Sequence, residues 1–296
     1  MPQKRMTEIA FIASASRAGT FAPNEYTSES RLTIQCKYTN YFYINMHTRV
    51  ISIANHKGGV AKSTTVGTVG PLLAKNGYKV LMVDLDAQCN LTDAFLKEES
   101  NKTIYDSFQG SQEDYTVNIR ENLDILPSSL DMSAMDLMLS GRLEREKILK
   151  RILDRLIEKH HYDVILLDCP PSLGIITVNA FVASTDIYVA TTPEYLPVKG
   201  LIRLEEIVEL VSQGLNPNVI INGVIVTRYN STKKLHVTVD RKIRNTYGFI
   251  VFKTRIRENI KLAECPMAYK DITEYAPDSN GAKDYQKLTE EIMDRL

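Results

Sequence analysis

The chain has few cysteines, and they are scattered: Cys36, Cys89, Cys169 and Cys265 form no C-x-x-C pair. That spacing argues against a disulfide framework or a structural zinc site, and it suits a reducing cytosol. Long apolar runs are missing too, with none approaching the ~18 residues that a membrane-spanning helix needs. Net charge is also absent. Lys and Arg number 36 against 36 Asp and Glu, so overall composition names no anionic partner. What remains is ordinary for a globular protein, 44% hydrophobic and 24% charged over 296 residues, which is enough for a substantial core.

The first 45 residues differ from the rest, being rich in Ser, Thr, Ala and Tyr and lacking a sustained apolar period. Lys4 and Arg5 ahead of Ile9–Ala15 resemble the start of a signal peptide, but Glu8 interrupts the approach and the apolar stretch is short. The expected reading is a disordered extension or an upstream mis-start, with Met46 as the natural first residue. A single domain is then expected over 46–296.

From Arg49 onward, short apolar runs alternate with helix-like segments. Val50–Ala54, Lys79–Val83, Leu123–Leu126, Val164–Leu167, Asp186–Ala190 and Val219–Val226 read as strands. A helical stretch is expected over about 63–75, and a second, amphipathic one over 142–160, with its apolar stripe starting at Leu143. Uninterrupted Val/Ile/Leu strands between helices indicate an α/β fold, a mostly parallel central sheet with helices on both faces.

Between the first strand and the first helix lies Asn55-His-Lys-Gly-Gly-Val-Ala-Lys-Ser-Thr64. A glycine turn there lets backbone N–H groups converge on phosphate oxygens at a helix N-terminus. Lys62 would reach the terminal phosphates and the Ser63 hydroxyl would ligate Mg²⁺. The simple pattern G-x-x-x-x-G-K-[ST] nevertheless fails, because His56 and Ala61 stand at its two glycine positions. Asp84 and Asp86 follow the second strand, and Asp168 ends another. Any one of them could simply cap the next helix. Three carboxylates at strand ends beside a phosphate loop suit a metal–nucleotide site.

At these residues the sequence resembles the ParA/Soj family of deviant P-loop partition ATPases. The markers are Lys57-Gly-Gly-x-x-Lys62-Ser, Asp84-Leu-Asp86-Ala-Gln88-x-Asn90, Asn122–Ser129, Tyr162–Gly174, Asn179-Ala, and Glu194-Tyr195 with Gly200-Leu. The resemblance implies a P-loop NTPase fold, ATP with Mg²⁺ as cofactors, and ATP contacts through Lys57, Gly58, Gly59, Val60, Ala61, Lys62, Ser63 and Thr64. It implies that Lys57 crosses a dimer interface to the partner's nucleotide, that Asp86 positions the attacking water, and that Asp84 and Asp168 join Ser63 around the metal. The catalytic set is then Lys57, Lys62 and Asp86. Departures are Ala61 and Cys89 where glycine is usual, Ala87 for proline, and Gly67, Gly70 and Pro71 in the helix after the loop, where a proline usually kinks the axis.

Residues 228–261 carry ten Lys and Arg against Asp240 and Glu258, a surplus of eight that the rest of the chain cancels. A basic segment of this kind is either a solvated surface or a footprint for phosphate backbones. The family resemblance favours nonspecific double-stranded DNA, through Arg228, Arg255, Arg257 and Lys261. Sequence alone leaves open whether some of these contact the nucleotide or a second subunit. The implied function is a cytoplasmic, nucleoid-associated switch in chromosome or plasmid partition. ATP would close a homodimer on DNA, and a ParB-like protein would stimulate slow hydrolysis. The alternatives are an ATP-responsive DNA-binding regulator and a membrane-positioning ATPase resembling MinD. The acidic tail 284–296 argues against the latter, so no membrane is expected.

Overall fold

The computed structural model describes residues 48–194 and 197–296. The expectations for residues 1–45, for Met46 as first residue and for Tyr195 lie outside the described residues. The strands are β1 (Arg49–Ala54), β2 (Val80–Asp84), β3 (Val117–Arg120), β4 (Leu123–Leu126), β5 (Val164–Asp168), β6 (Asp186–Thr191), β7 (Ile220–Tyr229) and β8 (Val251–Arg257). They form one eight-stranded sheet in the order β3-β4-β2-β5-β1-β6-β7-β8. Every neighbouring pair is parallel except β3 with β4.

The helices are α1 (Lys62–Lys75), α2 (Asn90–Phe95), α3 (Ile104–Gln109), α4 (Met135–Met138), α5 (Ile148–His160), α6 (Ile175–Ala183), α7 (Pro197–Gly214), α8 (Lys234–Tyr247), α9 (Lys261–Glu264), α10 (Ile272–Tyr275) and α11 (Asn280–Met293). Side chains alternate across each strand, so neighbours in sequence enter different cores. Val50, Leu81 and Val83 pack with α5, α6 and α7 on one face. Ile51, Ile53, Val80 and Met82 pack with α1 and α11 on the other. Burial on both faces is why β1, β2, β5 and β6 are written almost wholly in apolar residues.

Three expectations change. The helix expected from residue 142 begins at Ile148, because Glu144 takes a left-handed backbone (φ 50°) and a 3₁₀ turn spans Arg145–Lys147. Leu143, assigned to the apolar stripe, is 90% exposed. α1 runs through Pro71 to Lys75 without interruption, with Pro71 buried in it. Strands β3 and β8 are additional, and β7 extends three residues beyond Val226, to Tyr229.

Register places the site. β1 lies between β5 and β6; the chain runs from β1 to β2 on one side and later crosses past β1 from β5 to β6 on the other, so the carboxyl ends of these strands border a crevice. Asp84 pairs in register with Asp168, and Asp168 with Ile53 of β1, so both carboxylates sit at the strand ends beside the loop that follows β1.

Candidate nucleotide-binding site

The chain leaves β1 at Ala54 and enters α1 at Lys62. Asn55 pins the start of the loop, its side-chain amide donating to Ala190 O of β6 and its carbonyl accepting from Lys57 N at 2.9 Å. Gly59 (φ 71°) and Ala61 (φ 66°) are both left-handed. For Ala61, a methyl-bearing residue, that conformation costs roughly 1–2 kcal/mol. Cys89, just before α2, is left-handed too (φ 54°). Both positions where the resemblance leads one to expect glycine have kept the backbone that glycine would favour.

The three aspartates differ in their partners. Asp84 is fully buried. Its Oδ1 accepts from Asp86 N at 3.0 Å, and its Oδ2 from Thr92 N and Thr92 Oγ1 at 2.9 and 2.8 Å. Burial raises its pKa to about 6 despite those donors, and the neighbouring Asp86 adds to the rise. Asp86 uses Oδ1 to accept from Gln88 N at 3.1 Å. Asp168 is fully buried, and neither carboxylate oxygen has a protein partner. Burial first and Asp84 second push it well above the carboxylate range, while the Ser63 hydroxyl and the Lys62 ammonium oppose that rise. An unpartnered buried carboxylate is costly unless a cation completes it.

Gly58, Gly59, Ala61, Lys62, Ser63, Thr64 and Asp86 line one cavity of about 1020 Å³. The lining continues through Ile256 and Arg257 at the end of β8 to Glu258, Asn259 and Ile260, with Pro266 and Met267. Lys57 and Val60 are not in the lining. Val60 is buried in the core, and Lys57 Nζ pairs with Glu194 Oε2 at 2.6 Å, where both side chains are half-exposed.

The four arginines and lysines expected to touch DNA are not gathered on one free face. Arg228 lines the cavity and donates to Gly59 O at 3.2 Å. Arg257 also lines it, held by Asp284 through Nε and Nη2 at 2.8 and 2.6 Å. Arg255 is paired with the buried Asp240 at 2.7 Å and lies over the Tyr229 ring. Lys261 pairs with Glu264 at 2.8 Å and lies over Tyr275.

Comparison with known proteins matches this geometry to a family. The AAA domain family matches residues 48–221. The sporulation initiation inhibitor protein Soj of Bacillus subtilis is 35% identical over 249 residues, spanning 82% of this chain and 98% of that one. The chromosome-partitioning ATPase Soj of Thermus thermophilus is 36% identical over 248 residues, spanning 84% and 96%. The chain belongs to the ParA/Soj family. Among solved structures, the cobyrinic acid a,c-diamide synthase of Mycobacterium smegmatis, with bound ATP analog and magnesium, is 30% identical with a TM-score of 0.72, covering 83% of this chain and 95% of that one.

In this ParA/Soj chain the residues present fit a hydrated divalent cation. Asp168 offers two free oxygens near the Ser63 hydroxyl, and an ion such as Mg²⁺ takes one or two carboxylates with water and phosphate oxygens. Among the described residues, no three His, Cys, Asp or Glu side chains converge as an all-protein cage. Several supporting residues were not singled out from sequence: Asn55, Thr92, Asp284 and Tyr285. Asn55 has a local partner in Lys57 N, two residues on, whereas Thr92, Asp284 and Tyr285 act on partners that the fold brings near.

Proposed function

We propose that this chain is a Mg²⁺-dependent ATPase switch that dimerises on ATP, binds DNA without sequence preference and drives partition of a chromosome or plasmid. The observation that carries the reading is the convergence of Lys62, Ser63 and Asp86 on one cavity, with the unpartnered Asp168 carboxylate beside them. Backbone N–H groups of 58–64 and the Lys62 ammonium would cradle the phosphates, and Ser63 with Asp168 would hold Mg²⁺, which would supply charge neutralisation for phosphoryl transfer. Asp84 acts one step back. With both oxygens engaged, it orients the Asp86 backbone and α2. Asp86 is free on one oxygen to orient the attacking water. Lys57 reaches a second subunit's nucleotide only after leaving Glu194.

The DNA face is best supported on α8. Its solvent side carries Lys234, Arg241 and Lys242, seven and eight residues apart and so on one face, and none of them enters an ion pair among the described residues. The membrane reading loses support at α11. Tyr285, Leu288 and Ile292 are spent against α1 and β8, so this helix offers no apolar face to a bilayer. No helix of the described residues is long and apolar enough to cross a membrane.

The test is binding of the full chain to random-sequence duplex DNA with ATP, with ADP and without nucleotide, over a salt series. ATP-dependent binding that weakens steeply with salt is expected. Equal, negligible binding in all three states would remove DNA from the proposal.

A further inference from the structure

Ala61 keeps a left-handed backbone at the mouth of α1, and a residue with a Cβ holds that conformation only where its surroundings impose it. Its carbonyl oxygen accepts twice from Thr65, from the backbone N–H at 3.0 Å and from Oγ1 at 2.7 Å. The Thr65 hydroxyl has a single proton, and that bond uses it. Thr65 Oγ1 also lies 3.0 Å from Tyr285 Oη, so the phenol is the donor there. The chain of donation runs from Tyr285 O–H to Thr65 O–H to the Ala61 carbonyl. Thr65 and Tyr285 are fully buried, so no water substitutes for either partner. Burial also raises the Tyr285 phenol far above its ordinary value, so it remains a donor across any working pH.

The next residue toward the N-terminus engages Arg257, which lines the same cavity. Asp284 accepts from Arg257 N at 3.0 Å and from the Arg257 guanidinium through two further bonds. Two consecutive residues of α11 thus hold the phosphate loop, through Thr65, and the end of β8, and Ala61 and Arg257 of these two segments line the same cavity.

We propose that Tyr285 is a positioning residue for the phosphate loop: acting through Thr65, it holds Ala61 in the left-handed backbone that presents Lys62 and Ser63 to the cavity. A threonine can bond to the carbonyl four residues back without help. Tyr285 commits the Thr65 proton to that carbonyl. This rests on the ATPase reading for its ligand, but not for its geometry.

Four full-length proteins test it: the parent, Tyr285→Phe, Ala61→Gly and the double variant. Phenylalanine keeps the ring and its packing and removes only the donor. By titration calorimetry with Mg-ATP, Tyr285→Phe is expected to weaken binding about fivefold, the size of one net hydrogen bond. In the Ala61→Gly background the same change is expected to cost less than about twofold, because glycine adopts the left-handed conformation without an anchor. Equal losses in both backgrounds, or no loss in either, would overturn the proposal. If the parent itself binds no ATP, the ATPase reading falls separately. Hydrogen exchange at the Lys62 and Ser63 amides then decides. Exchange should be faster in Tyr285→Phe and return to the Ala61→Gly rate in the double variant. Unchanged protection in Tyr285→Phe refutes the relay.

Discussion

Single side chains at the site divide into those that meet a ligand and those that hold the first group still. Lys62 belongs to the first, so Lys62→Ala is expected to weaken ATP binding on the order of 100-fold, equivalent to about 3 kcal/mol of charged hydrogen bonds. Calorimetry reads this directly. Asp86→Ala should retain ATP affinity and lower turnover roughly 10²–10⁴-fold, the usual worth of a residue that orients or deprotonates a nucleophile. Normal steady-state hydrolysis by that variant would remove Asp86 from the catalytic set. Asp84 makes a different prediction. Its folded pKa of about 6 exceeds the ordinary aspartate value of 3.8, so the native state keeps its proton to a higher pH than the unfolded chain. Stability from this group is therefore present at low pH and lost as pH rises through 6. The loss is on the order of 3 kcal/mol in the absence of nucleotide and metal. Denaturant titrations at pH 4.5 and 7.5, compared between the parent and Asp84→Asn, isolate the effect. An identical pH dependence in both proteins would contradict it.

At the scale of elements, legibility followed burial. β1, β2, β5 and β6 were readable because both faces are covered, and the sequence there is almost continuously apolar. β8, Val-Phe-Lys-Thr-Arg-Ile-Arg, was not, because its charges made it look like part of a basic segment. In the fold Arg255 and Arg257 are tied down by Asp240 on α8 and Asp284 on α11, helices that no local pattern links to it. Lys62 and Ser63 line the cavity as a glycine turn between strand and helix leads one to expect, and Asp86 lines it because it follows the end of a readable strand. The Thr65–Tyr285 bond spans 220 residues and could not be placed from sequence. Element junctions also set limits on substitution. A Cβ on Gly174, just before α6, would strike the Asp136 carboxylate that accepts from Ile176 N. Asp136 is exposed and can swing aside, so Gly174→Ala is expected to lose about 0.5–1.5 kcal/mol, the worth of that hydrogen bond to the helix start, seen as a lower thermal midpoint.

For the whole molecule, zero net charge conceals how unevenly the charge is available. Five of the ten cations of 228–261 are ion-paired with carboxylates, and of the five that are not, Lys234, Arg241 and Lys242 lie together on α8. Reversing Lys234, Arg241 and Lys242 to Glu should leave Mg-ATP affinity unchanged while nearly abolishing binding to random duplex DNA. Single neutralisations should each lower the slope of log affinity against log salt by about one. Fluorescence anisotropy over a salt series measures both, and an unchanged slope would move the DNA face elsewhere.

The packing of α11 against α1 and β8 also bears on the order in which the protein is made. A ribosome delivers the phosphate loop early and α11 near the end of the described chain. Until then α1 lacks the helix that covers it, and Thr65 lacks the phenol that steers its proton. A nascent chain halted before α11 would hold every residue of the nucleotide motif yet expose an apolar helix face, the condition in which partly made chains aggregate or recruit chaperones. On the proposed function, the phosphate loop thus gains its support only once α11 has packed against α1.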